Sequence, residues 1–187
     1  MDIIVGIDPG KTGAMVALDE NGKHICHSYM PLIGNNLDSR ELLSWINAIP
    51  GSIGDSDADI HIFIEDVHAI FGSSAGSTFA FGFICGGIQA VVATTYYPYT
   101  LVQPKIWQKV MYQGVPELRK PPAKFKNKAG KECTRKGSLK TKEMSLVAVK
   151  RLFPSVNLCR TTRCTKAHDG LVDALLIAEY GRRLLNV

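Results

Sequence analysis

The chain has 187 residues, 45% of them hydrophobic and 21% charged. That is the composition of a single globular domain and excludes a disordered or collagen-like polypeptide. The formal charge of +5 is unevenly spread: residues 119–142 hold ten basic side chains and one acid, Glu132, while the rest of the chain nets −4. Such a cationic segment suits a phosphate-rich partner, because each Lys or Arg that neutralises a phosphate releases counterions. Five cysteines (Cys26, Cys85, Cys133, Cys159 and Cys164) lack CxxC spacing, which fits a reducing cytoplasm better than a disulfide framework. The first residues carry no positive segment, so no secretory signal is expected. The longest apolar stretch, 79–88, is shorter than the ~20 residues of a membrane span, so a soluble, cytoplasmic protein without a membrane partner is expected.

Residues 3–7 form an apolar run ending in Asp8-Pro9-Gly10, which reads as a buried strand and a turn. Residues 13–18 and 23–29 flank Asn21-Gly22, a hairpin signal. Three antiparallel strands therefore open the chain. Asp38-Ser39-Arg40-Glu41 resembles a capping box, heading an amphipathic helix that ends at Pro50-Gly51. Residues 60–64 predict a β-branched strand closing on Glu65-Asp66, and 78–95 a helix. A strand at 99–102 precedes a helix that starts at Pro104, a residue tolerated in the first helical turn. The basic segment follows, broken by Pro121-Pro122 and Gly130. Residues 141–152 and 169–185 predict the last two helices. Strands first in a hairpin run and then alternating with helices imply an α/β fold, a mixed sheet with helices on its faces. The chain reads as one domain with a basic insertion at about 114–140.

Four acids stand out. Asp8 and Glu65 each end a strand, and Asp169 and Asp173 lie four apart on one helix face. In α/β sheets, sites collect where strand ends meet helices. Clustered carboxylates repel one another unless a cation compensates them, and oxygen-only ligands favour Mg²⁺ or Mn²⁺. Two such ions can activate water and stabilise a leaving oxygen in phosphodiester hydrolysis. Taken singly, each acid also reads as a turn former, strand end or helix cap. His168 reads as a cap or as a neighbour of a metal. Cys159, Cys164 and His168, with Cys133, are a zinc alternative, though their spacing departs from the usual pattern.

These residues resemble the RuvC-type Holliday junction resolvases, especially their bacteriophage branch. The resemblance spans nearly the whole chain: Gly6-Ile7-Asp8-Pro9-Gly10 with Thr12-Gly13, Ile64-Glu65-Asp66-Val67-His68-Ala69, Ser77-Thr78-Phe79-Ala80-Phe81-Gly82, Val102-Gln103-Pro104 with Trp107, Leu152-Phe153-Pro154, and His168-Asp169-Gly170 running into Asp173-Ala174-Leu175. It implies an RNase H-like fold with a five-stranded mixed sheet. It also implies a homodimer that resolves four-way DNA junctions by paired nicks giving 5′-phosphates, with two Mg²⁺ or Mn²⁺ ions per site and no nucleotide cofactor. Asp8, Glu65 and Asp173 match three of the family's catalytic acids. Cellular members place an acid or histidine where this chain has Gly170, so Asp169 is the substitute, with His168 a candidate neighbour of the second metal. Cellular relatives often carry an aromatic where this chain has His68, leaving Phe71, Phe79 or Phe81 for the junction centre. Arg119, Lys120, Lys124, Lys126, Lys128, Lys131, Arg135, Lys136, Lys140 and Lys142 are the expected DNA contacts. A non-catalytic branched-DNA-binding protein and an actin- or sugar-kinase-like ATPase are the alternatives; the second would need a further phosphate loop, which the sequence does not display.

Overall fold

The computed structural model describes residues 1–55, 57–67, 74–126 and 130–186. Its centre is β1 (Asp2–Asp8), paired antiparallel with β2 (Ala14–Asp19), which in turn pairs with β3 (His24–Tyr29). A short hairpin, β4 (Leu32–Ile33) and β5 (Asn36–Leu37), leads into α1 (Ser39–Ile53). Next come β6 (Asp59–Glu65), α2 (Ala75–Thr94), β7 (Tyr99–Val102) and α3 (Pro104–Met111). A second hairpin, β8 (Ala123–Lys126) and β9 (Glu132–Arg135), precedes α4 (Thr141–Leu152) and α5 (Asp169–Leu185). The main sheet runs β3-β2-β1-β6-β7, with β6 parallel to both β1 and β7. The expected five-stranded mixed sheet is therefore present.

β1 is buried on both faces, which explains its unbroken apolar run. Ile3, Val5 and Ile7 join one core with Ile60, Ile62 and Ile64 of β6 and with apolar residues of α1 and α2. Ile4 and Phe63 face the other core, built with α3, α4 and α5. α5 lies directly on β1 at Gly6, where a Cβ would fall 2.3 Å from the Ala174 carbonyl oxygen and 2.4 Å from the Ala178 nitrogen. Further along, Gly181 leaves room for the Phe63 ring. Glycine at these two positions sets how close the helix approaches the sheet.

Three expectations change in the structure. α1 begins at its expected cap, Asp38, whose side chain accepts from the Glu41 N–H, but it passes through Pro50 and stops at Gly54. The stop falls where a residue takes a left-handed conformation (φ 71° at Gly54), since a late proline removes one donor without forcing the next turn to unwind. α2 starts earlier than expected and spans 20 residues, so by length and composition it is apolar enough to cross a membrane. Counting only the uninterrupted run 79–88 had understated it. Here one face of α2 supplies Ile84, Ile88, Val91 and Val92 to the core beneath the sheet. The basic segment, expected to be irregular, contains the β8–β9 hairpin on a paired neck: the Lys120 N–H donates to the Ser138 carbonyl and the Lys140 N–H to that of Leu118.

Candidate active site

The parallel register of β1 and β6 ends at Ile7 opposite Ile64, so Asp8 and Glu65, one residue further on, emerge side by side from the C-terminal edge of the sheet. α5 delivers the other two acids. Its first turn packs on the turn after β1: a Cβ on Gly170 would meet the Thr12 carbonyl oxygen at 2.3 Å and the Gly13 Cα at 2.8 Å. A side chain at 170 does not fit there. The acid of this first turn is carried by its neighbour Asp169, which faces the cleft. Asp169 and Asp173 line that cleft together with Lys142, Ser145, Lys166 and Val172.

The carboxylates sense one another. Burial raises the Asp8 carboxyl well above the usual range, and the negative charges of Asp173, Glu65 and Asp169 push it further. Glu65 is pushed up to about 7, first by burial and then by Asp173, against a lowering hydrogen bond from Trp107. Asp173 is raised to about 6, again mainly by burial, with a Ser145 hydrogen bond opposing. Asp169 behaves differently. Its hydrogen bond with Lys142 holds it below the normal value, and the Lys142 Nζ lies 2.6 Å from Asp169 Oδ2.

Three supports of these acids were not assigned roles from sequence. The buried Trp107 indole Nε1–H donates to Glu65 Oε1 at 2.9 Å. Ser145, 2% exposed, bonds Asp173. Tyr112 donates to the Thr141 carbonyl at 3.2 Å and sits 2.8 Å from the Ser145 hydroxyl, which fixes that serine; burial raises the Tyr112 phenol to about 12. Proline at the start of α3 and the apolar spacing of that helix marked it as a helix, but nothing local signals that its indole reaches a strand end 42 residues earlier.

His168 caps α5, its Nδ1 accepting from the Leu171 N–H at 3.2 Å, and its ring packs edge-on to Tyr29. Asp169 is thus the first helical residue rather than the cap. Burial lowers the His168 pKa, favouring the neutral imidazole that such a cap requires. Among the described residues, no group of three or more His, Cys, Asp or Glu is drawn together closely enough to hold one ion. The zinc alternative does not assemble: Cys133 lies on β9 in the hairpin, and the Cys164 sulfur accepts from the Thr161 hydroxyl. Trp107, Ser145 and Lys142 hold Glu65, Asp173 and Asp169 respectively, and the all-oxygen donor set and mutual repulsion of the four acids fit hard divalent cations.

Of the expected DNA contacts, Lys142 pairs with Asp169, and the others among the described residues divide into two groups. Arg119 braces the neck by donating to the Gly137 carbonyl and pairing with Glu117, which Lys136 also approaches; Lys140 pairs with Glu143. Lys120, Lys124, Lys126, Lys131 and Arg135 are exposed on the insertion. Phe79 is exposed on α2, and Phe81 lies beside Gly10 in the turn after β1. His68, Phe71 and Lys128 lie outside the described residues.

No family profile matches the chain, and no curated protein matches it in sequence. Solved structures do match. Thermus thermophilus RuvC bound to a Holliday junction substrate superposes with a TM-score of 0.57 at 12% identity, covering 98% of this chain and 96% of that one. A second T. thermophilus RuvC structure gives the same TM-score at 15% identity, covering 97% and 96%. Over nearly its whole length the chain therefore has the RNase H-like fold of these RuvC structures, a five-stranded mixed sheet flanked by helices.

Proposed function

We propose that the protein is a metal-dependent endodeoxyribonuclease that resolves four-way and related branched DNA by paired nicks leaving 5′-phosphates. The observation that carries this reading is that four acids border one sheet edge near enough for their charges to act on one another, although no three of them are gathered tightly around a single point. The parallel register sets Asp8 beside Glu65, and α5 brings Asp169 and Asp173 close enough to raise the Asp8 carboxyl. Asp8, Glu65, Asp169 and Asp173 would hold Mg²⁺ or Mn²⁺, with His168 a candidate neighbour of the second ion. When bound, a pair of such ions supplies a hydroxide nucleophile and stabilises the leaving oxygen. The chain's own residues do the rest. Trp107 and Ser145 orient two of the carboxylates, and Lys142 and Lys166 line the same cleft, placing positive charge where a phosphate would enter. The approximate twofold symmetry of a four-way junction suits a homodimer.

The test compares synthetic four-way, forked and linear DNA with Mg²⁺, with Mn²⁺ and with neither. Parental protein should cut the branched substrates only with metal, whereas Asp8→Asn and Glu65→Gln should bind the junction and fail to cut it. Cutting by either variant at the parental rate would refute the site, and binding without metal-dependent cutting by the parent would favour a non-catalytic junction binder.

A further inference from the structure

The β8–β9 hairpin stands apart from both cores. Its cross-strand partners are Ala123 with Arg135, Lys124 with Thr134, Phe125 with Cys133, and Lys126 with Glu132. Side chains alternate across a ribbon, so Lys124, Lys126, Thr134 and Glu132 occupy one face, two cations to one acid, while Ala123, Phe125, Cys133 and Arg135 occupy the other. Neither core cluster includes Phe125, which is 48% exposed, and among the described residues the hairpin packs substantially on no other helix or strand. The ring therefore does little for the fold, and it sits in the most cationic part of the chain. Phosphate binding needs the lysines but not a phenyl ring, which has no donor or acceptor with which to read a base edge. Its favourable partner in nucleic acid is the face of a base, and in duplex DNA those faces are stacked away. They become accessible where strands part.

We propose that this hairpin is a two-faced DNA-binding ribbon: the Lys124–Lys126 face grips backbone phosphates, and Phe125 on the opposite face stacks on a base unpaired at the branch point. A two-stranded ribbon has the width that the major groove admits, so the lysine face can follow a duplex arm into the branch. The proposal rests on the branched-DNA reading above but concerns binding, and it is tested without turnover.

Full-length parent, Phe125→Ala, Phe125→Trp and the double variant Lys124→Gln/Lys126→Gln are titrated in Ca²⁺ against a four-way junction carrying 2-aminopurine at the branch and against linear duplex of the same sequence. Phe125→Ala should weaken junction binding about tenfold or more, lose the 2-aminopurine quenching, and leave duplex binding and the melting temperature unchanged. Phe125→Trp should restore junction affinity. The double lysine variant should weaken binding to both DNAs and lower the salt slope by about two. Junction binding by Phe125→Ala equal to the parent's would overturn the stacking role, and so would an equal loss on both substrates, which is the outcome expected of a groove or protein contact. Failure of Asp8→Asn to affect cleavage would bear on the nuclease reading alone.

Discussion

Glu65→Gln should stabilise the metal-free protein, and increasingly so as pH rises. Glu65 is driven from 4.5 to about 7, chiefly because burial disfavours its charge. A carboxyl whose folded pKa lies above its unfolded value costs the fold nothing while it is protonated in both states. The cost grows as pH rises from the unfolded pKa through the folded one. At about 1.4 kcal/mol per unit, ionising Glu65 costs the fold up to about 3 kcal/mol by pH 8. Glutamine keeps an oxygen to accept from Trp107 but carries no charge. The comparison with the parent also cancels the opposite contribution of the histidines, since His24, His27, His61 and His168 all have lowered values and favour the fold more as pH rises. Thermal melts in EDTA should show the two proteins close together at pH 5 and the variant higher at pH 8 by about 6–12 °C, taking about 2–4 °C per kcal/mol for a chain of this size. Adding Mg²⁺ at pH 8 should raise the parent's melting temperature and narrow the gap, because an ion that binds only the folded state stabilises it by mass action. A melting difference that stays constant from pH 5 to 8, or a variant less stable throughout, would refute the claim that burial, aided by the charge of Asp173, holds the Glu65 carboxyl above its ordinary range.

Trp107→Phe removes the 2.9 Å bond to Glu65 and leaves a cavity in the core. Its loss should cost about 2–4 kcal/mol of stability in urea melts and shift the cleavage pH profile upward, because Glu65 then loses the interaction that lowers its pKa. Gly6→Ala drives a methyl group into the backbone of α5. It should destabilise the protein by more than about 3 kcal/mol, or prevent folding, as measured by circular dichroism and expression of soluble protein.

Much of this molecule can be read along its chain. The apolar run of β1, the Asn21-Gly22 turn, the Asp38 cap and the start of α5 at Asp169 are local events, set by alternation, turn chemistry and capping within a few residues. The four acids are visible as types at strand and helix ends. What the linear order cannot hold is distance between remote segments. Pairing β1 with β6 in parallel depends on a crossover, and only that register sets Asp8 beside Glu65. The steric closeness of Gly170 to Thr12, which leaves no room for a side chain at 170, exists only once α5 docks on the turn after β1. Trp107, Ser145 and Lys142 acquire their roles in the same way, each reaching an acid at least 27 residues distant. The hairpin in the basic segment escapes a local reading because its charges and prolines hide a short strand pair. Residue type is a local property, whereas the field at a carboxylate sums over everything packed around it; the sequence therefore names the acids, and packing decides which of them repel, which is neutralised, and where a cation would be needed.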